Sequence, residues 1–166
     1  MFSFFRKTPI RLHLGEVRVT PRKDFLRHLE AGFFGGRKPD DSWVTVLAQV
    51  FDYPPATGTA VPGDDDFAVD IAIEGHRHGG WTDVSGFPVG WRPKVRLSAR
   101  IYHMKSGKQR AVIRAVECMS WDEFFALSGR WKVQLGLGNP ADKQRLRELV
   151  QAAGRTLKAK VENAVS

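Results

Sequence analysis

From Leu146 onward one spacing governs the chain. Leu146, Leu149, Val150, Ala153, Leu157 and Val161 each lie three or four residues from another of the set, which sets them along one side of an α-helix. Asn139 followed by Pro140 supplies a cap-then-proline start, so a helix is expected over 139–164. The other sides of this helix are polar. Its apolar stripe must therefore lie on a layer built by the rest of the chain.

That layer reads as β-structure. Val95 to Met119 is the clearest unit, a β-hairpin turning near Ser106 and Gly107. A two-residue turn would pair Ile101 with Val112 and push Arg114 onto the apolar side. A three-residue loop, Ser106 to Lys108, pairs Ile101 with Ile113 and Ala99 with Ala115. It places Arg96, Arg100, Arg110 and Arg114 together on the outer face, and it is preferred because it keeps arginines out of the core. Glu117 then falls on the inner face near the strand end. Ile10 to Val19 alternates with a shift at Gly15 and Glu16, the pattern of a strand with a bulge. Phe67 to Glu74 is a further strand, with Phe67, Val69, Ile71 and Ile73 on one face. Trp43 to Phe51, rich in β-branched and aromatic residues, also reads as a strand.

Thr20 and Pro21 open a short helix whose apolar face is Phe25, Leu26, Leu29 and Phe33. Residues 52–66 form a long acidic loop. Gly75 to Trp91 reads as loop with one short strand. Ser120 caps a short helix from Trp121 to Leu127, and Trp131 to Leu137 is a last strand. The whole predicts an α+β fold: a mainly antiparallel sheet, a short N-terminal helix, and a long amphipathic C-terminal helix packed on one face. At 166 residues with 42% hydrophobic content, this is one domain over 1–166, able to bury roughly 70% of its unfolded surface. One cysteine, Cys118, excludes an intrachain disulfide and a cysteine-built zinc cluster.

The layout of the last ~70 residues, a late hairpin before a terminal helix, resembles the domain of bacterial envelope auxiliary lipoproteins. The likeness is one of layout and carries no motif, and the lipid-attachment cysteine of such proteins is absent near this N-terminus. No apolar run reaches the ~20 residues of a membrane span. The start has basic residues after apolar ones and no long apolar core, unlike a secretory signal. The chain as given is therefore expected in the cytoplasm, an expectation that fails for a processed form.

Charge is segregated along the sequence. Residues 1–39 carry net +6, residues 40–83 net −8 and residues 84–166 net +10, for a total of +8. An acidic middle third would repel a polyanion. Opposed patches instead suit docking to a mixed-charge protein partner or self-association, unless folding brings the acidic segment beside the basic ones. The candidate basic side is Arg96, Arg100, Arg110 and Arg114. The candidate acidic side is Asp64, Asp65 and Asp66, which are also the expected counter-ions for crowded arginines.

Other chemistries have weaker support. His76 and His78 have a metal-ligand spacing on an extended strand, but Gly79, Gly80 and Trp81 follow where a hydrolase motif would continue. The aspartate run lacks the spaced ligands and closing glutamate of a calcium loop. Gly136 to Ala141 fits a dinucleotide turn, yet no strand follows to complete that unit. No phosphate-binding loop and no nucleophile elbow is present. No cofactor is expected, and the chain reads as non-enzymatic. One alternative is a single-stranded nucleic-acid binder using Trp91, Lys94, Lys143 and Arg147. Another is a membrane-surface accessory using Phe2, Phe4, Phe5, Arg6 and Lys7. The leading expectation is a protein-binding or assembly module with segregated basic and acidic surfaces.

Overall fold

The computed structural model describes residues 10–19, 42–58, 61–77, 79–84, 87–128 and 143–165. Strand β1 (Arg11–Val19) precedes helix α1 (Ser42–Phe51). Strands β2 (Asp66–Arg77), β3 (Gly80–Val84), β4 (Phe87–Trp91), β5 (Lys94–His103) and β6 (Gln109–Cys118) follow. Helices α2 (Trp121–Ser128) and α3 (Lys143–Val165) close the described chain. The main sheet has four strands in the order β1-β2-β5-β6, while β3 and β4 form a separate pair. β1 runs parallel to β2, and the other pairings are antiparallel. The fold is therefore α+β with a mostly antiparallel sheet, as the sequence predicts.

One face of the sheet makes the core. Val69, Ile71 and Ile73 of β2 sit opposite Ile101, Ala99 and Leu97 of β5, and all six are 0% exposed. Trp43, Val46, Leu47 and Phe51 of α1 and Leu146, Val150, Ala153, Leu157 and Val161 of α3 join them in one buried cluster. The predicted helical stripe is thus the buried side of α3. Gly154 brings α3 close to α1: a Cβ there would lie 3.1 Å from Leu47 Cδ2 and 3.2 Å from Val50 Cγ1. Leu12, Leu14, Val17 and Val19 of β1, an edge strand among the described residues, are only half-buried against the same core. Met119, Phe124 and Leu127 form a second small cluster with Leu149. Ser120 caps α2 as expected, its hydroxyl accepting the Glu123 amide at 3.1 Å.

Four readings change. Trp43 to Phe51 is helical, not extended. Its buried residues, Trp43, Val46, Leu47 and Phe51, fall at helical steps, and burial of that stripe against α3 and the sheet outweighs β-propensity. The helix stops where Asp52 takes a left-handed φ of 47°. β2 continues through Arg77, and Gly80 to Trp91 is a hairpin with Gly80 opposite Trp91 and Val84 opposite Phe87. In the β5–β6 hairpin both predicted registers fail. Ile101 pairs with Ala111, Ala99 with Ile113 and Leu97 with Ala115. The His103 amide donates to the Lys108 carbonyl at 3.0 Å, closing a four-residue loop that holds Gly107 at φ 66°. Tyr102 pairs with Gln109 while Ile101 pairs with Ala111, so Arg110 is an extra, bulged residue. Loop and bulge together displace the register by two, which keeps Arg96, Arg100 and Arg114 facing outward. β1 shows the expected bulge, with its register shifting between Leu14 and Val17. The helix expected from Thr20, the strand expected from Trp131 and the first turn of the terminal helix lie outside the described residues.

Candidate functional site

The helices cover one face of the sheet; the site considered is the other. Arg96 and Arg100 project from β5 and Arg114 from β6, and all three are exposed. Arg96 lies opposite Val116, Arg100 opposite Val112 and Arg114 opposite Ser98. The register with Ile101 opposite Ile113 would have set Arg100 directly against Arg114; the observed one leaves them diagonal. Val112 and Val116 are 46% and 45% exposed, so two apolar side chains stand among the three guanidiniums.

The counter-ions come from β2 rather than from residues 64–66. Asp70 sits directly across from Arg100, and its Oδ2 accepts Arg100 Nη2 at 2.6 Å. Its Oδ1 accepts the Glu16 amide at 3.0 Å and the Tyr102 hydroxyl at 3.3 Å. Glu74 accepts Arg114 Nε at 3.4 Å. Asp70 strengthens the hold of Arg100 on its proton, first by the hydrogen bond and then by its charge. Burial, followed by the Asp70 charge, raises the Tyr102 phenol above its ordinary range. This cluster depends on Gly15 in the β1 bulge, because a Cβ there would collide with Asp70 Oδ1. Arg110 does not join the face: the bulge turns it so that its guanidinium lies 5.2 Å over the Phe67 ring.

The aspartate run divides. Asp64 is exposed at the hairpin tip and accepts Lys105 Nζ at 2.7 Å; that hydrogen bond, with the lysine's charge, lowers its pKa. Asp65 is half-buried, and its carbonyl takes the Arg11 amide at 2.9 Å. Asp66 is only 2% exposed. Its carboxylate accepts the Gly63 amide at 2.7 Å, Arg11 Nε at 2.8 Å and His13 Nε2 at 3.2 Å. An ionised carboxylate only accepts, so His13 Nε2 carries the proton in this pair. The Gly63 hydrogen bond, then His13 and Arg11, hold the Asp66 carboxyl below the usual range against the opposing effect of burial. Asp66 thus serves the interior, and Asp64 and Asp65 remain as the acidic surface. Beside them the hairpin tip has a shallow open groove of about 400 Å³ lined by Phe67, His103, Ser106, Lys108, Gln109 and Arg110.

The alternative residues are less concentrated. Lys94 opens β5 opposite Arg77 and Cys118. Trp91 ends β4 and is half-buried. Arg147 is exposed on the first half of α3, two residues beyond Arg145, which pairs with Glu148 at 2.8 Å and Glu123 at 3.5 Å. The side chain of Lys143, and Phe2, Phe4, Phe5, Arg6 and Lys7, lie outside the described residues. His76 packs edge-on to Trp43, ring centres 4.9 Å apart, and His78 lies outside the described residues. Among the described residues, no three His, Cys, Asp or Glu side chains are grouped to hold a metal ion, and no helix is long and apolar enough to cross a membrane.

Two features escape a sequence reading. The first is the valine pair on β6, legible in retrospect because Val112 and Val116 share the arginines' strand parity. The second is an aromatic knob on α2. Trp121 and Phe125, one helical turn apart and 45% and 53% exposed, stack with centres 5.5 Å apart and planes at 22°. Arg92 lies 4.6 Å over the Trp121 ring and donates to the Met119 carbonyl at 3.1 Å.

No family model matches the chain, and no curated protein sequence matches it. Among solved structures it is similar to the PelC dodecamer from Paraburkholderia phytofirmans, at 10% identity and a TM-score of 0.43, covering 89% of this chain and 83% of that one. It is similar to a Xanthomonas campestris protein at 11% identity and a TM-score of 0.42, covering 92% and 81%. It is also similar to a minor lipoprotein from Acinetobacter baumannii at 8% identity and a TM-score of 0.39, covering 93% and 94%. These are likenesses of chain course, and no partner or activity is carried over from them.

Proposed function

We propose that the chain is a non-enzymatic protein-binding or assembly module that docks through the outer face of its main sheet. The observation that best supports this reading is the pair Val112 and Val116, 46% and 45% exposed, set among Arg96, Arg100 and Arg114. Protein interfaces favour an apolar centre with arginine beside it and few other charges. The carboxylates of Asp70 and Glu74 partly neutralise this face, so it suits a protein surface of mixed character better than a phosphate backbone.

The test uses the full chain as bait for proteins retained from a source extract after nuclease treatment. Retained proteins are compared with those held by a double variant, Arg96→Glu with Val116→Asp. Both positions are exposed, so the variant should unfold at the wild-type midpoint. Loss of a retained protein is the expected result. An unchanged retained set from a folded variant refutes the docking face.

A further inference from the structure

The outer face of the sheet carries two kinds of cation. Along its middle each arginine has a carboxylate: Arg100 has Asp70 at 2.6 Å and Arg114 has Glu74 at 3.4 Å. At the end where β5 begins the arrangement differs. Arg77 of β2 lies directly opposite Lys94, and residues directly opposite share a face. Arg96 follows Lys94 by two residues, so it stands on the same side. Among the described residues, none of these three cations forms an ion pair. Arg77 and Lys94 are half-buried and Arg96 is exposed. Arg77 Nε donates to the Arg92 carbonyl at 3.3 Å, which steadies the guanidinium and leaves its charge unmatched.

The carboxylates nearest in register are committed elsewhere. Glu74 is taken by Arg114. Glu117 lies opposite Val95, on the side that the helices cover, and accepts the Thr156 hydroxyl at 2.8 Å. Like charges directly opposite each other destabilise a sheet, and half-buried charges are screened less than exposed ones. The same sheet matches Arg100 and Arg114 yet leaves three cations together at one end, an arrangement relieved by negative charge from outside. Apolar surface adjoins it, because Val116, 45% exposed, lies opposite Arg96.

We propose that Arg77, Lys94 and Arg96 bind an acidic, extended segment of a partner protein. The proposal rests on the reading of the outer face as a docking surface and names what the partner presents to it. Alternate carboxylates along an extended segment are ~7 Å apart, the same step that separates Lys94 from Arg96. Val116 receives an apolar residue beside them. A nucleic-acid strand matches this face less well. Its charge recurs at every nucleotide, whereas the face becomes neutralised beyond Arg96 by Asp70 and Glu74.

The probe is a fluorescein-labelled synthetic peptide with glutamate at alternate positions followed by a leucine, titrated with the full chain by fluorescence anisotropy. The same peptide with glutamine for glutamate, and oligothymidylate of equal charge, are titrated beside it. Tighter binding of the glutamate peptide than of either is expected, weakening as salt is added. Arg77→Gln and Lys94→Gln should each weaken it roughly two- to fivefold. Arg155→Gln makes the same charge change at an exposed position of α3 and should leave it unaltered. Lys94→Gln also removes a repulsion, so its thermal midpoint should match or exceed that of the wild type, with the difference shrinking as salt is added. A midpoint that falls, and falls most at low salt, reveals a counter-ion within the chain and overturns the proposal. Equal weakening by Lys94→Gln and Arg155→Gln overturns it too, since attraction is then by net charge alone, as does tighter binding of the oligonucleotide. If the peptide is not bound while the Arg96→Glu, Val116→Asp variant still loses a retained protein, the acidic segment falls and the docking face stands. If Lys94 governs peptide binding while that variant retains the wild-type set of proteins, the cation site stands and the docking reading falls.

Discussion

Replacing Gly154 with alanine sets two opposing effects against each other in one residue. In isolation the change favours the helix by about 1 kcal/mol, because glycine is the poorer helix former by that amount. Within α3 the added Cβ meets α1 at 3.1 Å from Leu47 Cδ2 and 3.2 Å from Val50 Cγ1. Favourable carbon contacts lie at about 3.5–4.0 Å, so both neighbours must retreat by several tenths of an ångström. Leu47 is 0% exposed, so it can retreat only into the core, and Val50 is stiff at χ1. Overpacking of this kind costs ~1–3 kcal/mol. The net expectation for Gly154→Ala is a loss of about 1 kcal/mol, and for Gly154→Val, with two more methyl groups, a loss of about 3 kcal/mol or more. Urea unfolding followed by circular dichroism measures both, and the thermal midpoint should fall by ~2–4 °C per kcal/mol in a chain of this size. Combining Gly154→Ala with Leu47→Ala should recover part of the loss as a favourable coupling. A Gly154→Ala protein more stable than wild type would refute the reasoning, since it would mean that the two helices separate at no cost.

Acid unfolding should report the Asp66 cluster. The folded carboxyl is held more acidic than in the unfolded chain, so its stabilising contribution is complete above the ordinary aspartate value of about 3.9 and is lost as pH falls through the folded value. Asp66→Asn should therefore lower stability at neutral pH and flatten the acid limb of a stability–pH profile; an unchanged limb would count against the assignment. Gly15→Ala should displace the Asp70 carboxylate and free Arg100 and Tyr102. The phenol of Tyr102, raised by burial and then by Asp70, should ionise at lower pH in an ultraviolet titration, and an unmoved transition in a folded variant would count against the assignment.

Much of the sheet's main body is legible in the sequence, because alternation reports which side of a strand is buried. The outward set Arg96, Arg100 and Arg114 follows from parity alone and survives a register error of two residues. The pairing itself does not follow, because it depends on a four-residue loop and on a bulge at Arg110, and neither leaves a mark in the apolar pattern. Trp43 to Phe51 misleads for a different reason. Its residues favour strands locally, yet its apolar positions also fit a helix, and the choice is made by α3, more than 90 residues later in the chain. Counter-ion choice is equally non-local. Asp70 and Glu74 neutralise the arginines because β2 lies beside β5, whereas three consecutive aspartates at 64–66 look like the obvious partners in the sequence and have other uses in the fold.

The parallel pairing of β1 with β2 has a consequence for the order of assembly. The β5–β6 hairpin closes a short loop, but Arg11 and Asp66 are 55 residues apart, and closing that larger loop costs more chain entropy before any contact repays it. Strand β1 is therefore expected to be among the last to dock, joining a three-stranded sheet already sealed by α3. Until it does, β2 is the exposed border of the sheet, and that interval is when the chain is most open to pairing with a stranger. In native-state hydrogen exchange, β1 amides should accordingly open at lower free energy than those of β2 and β5.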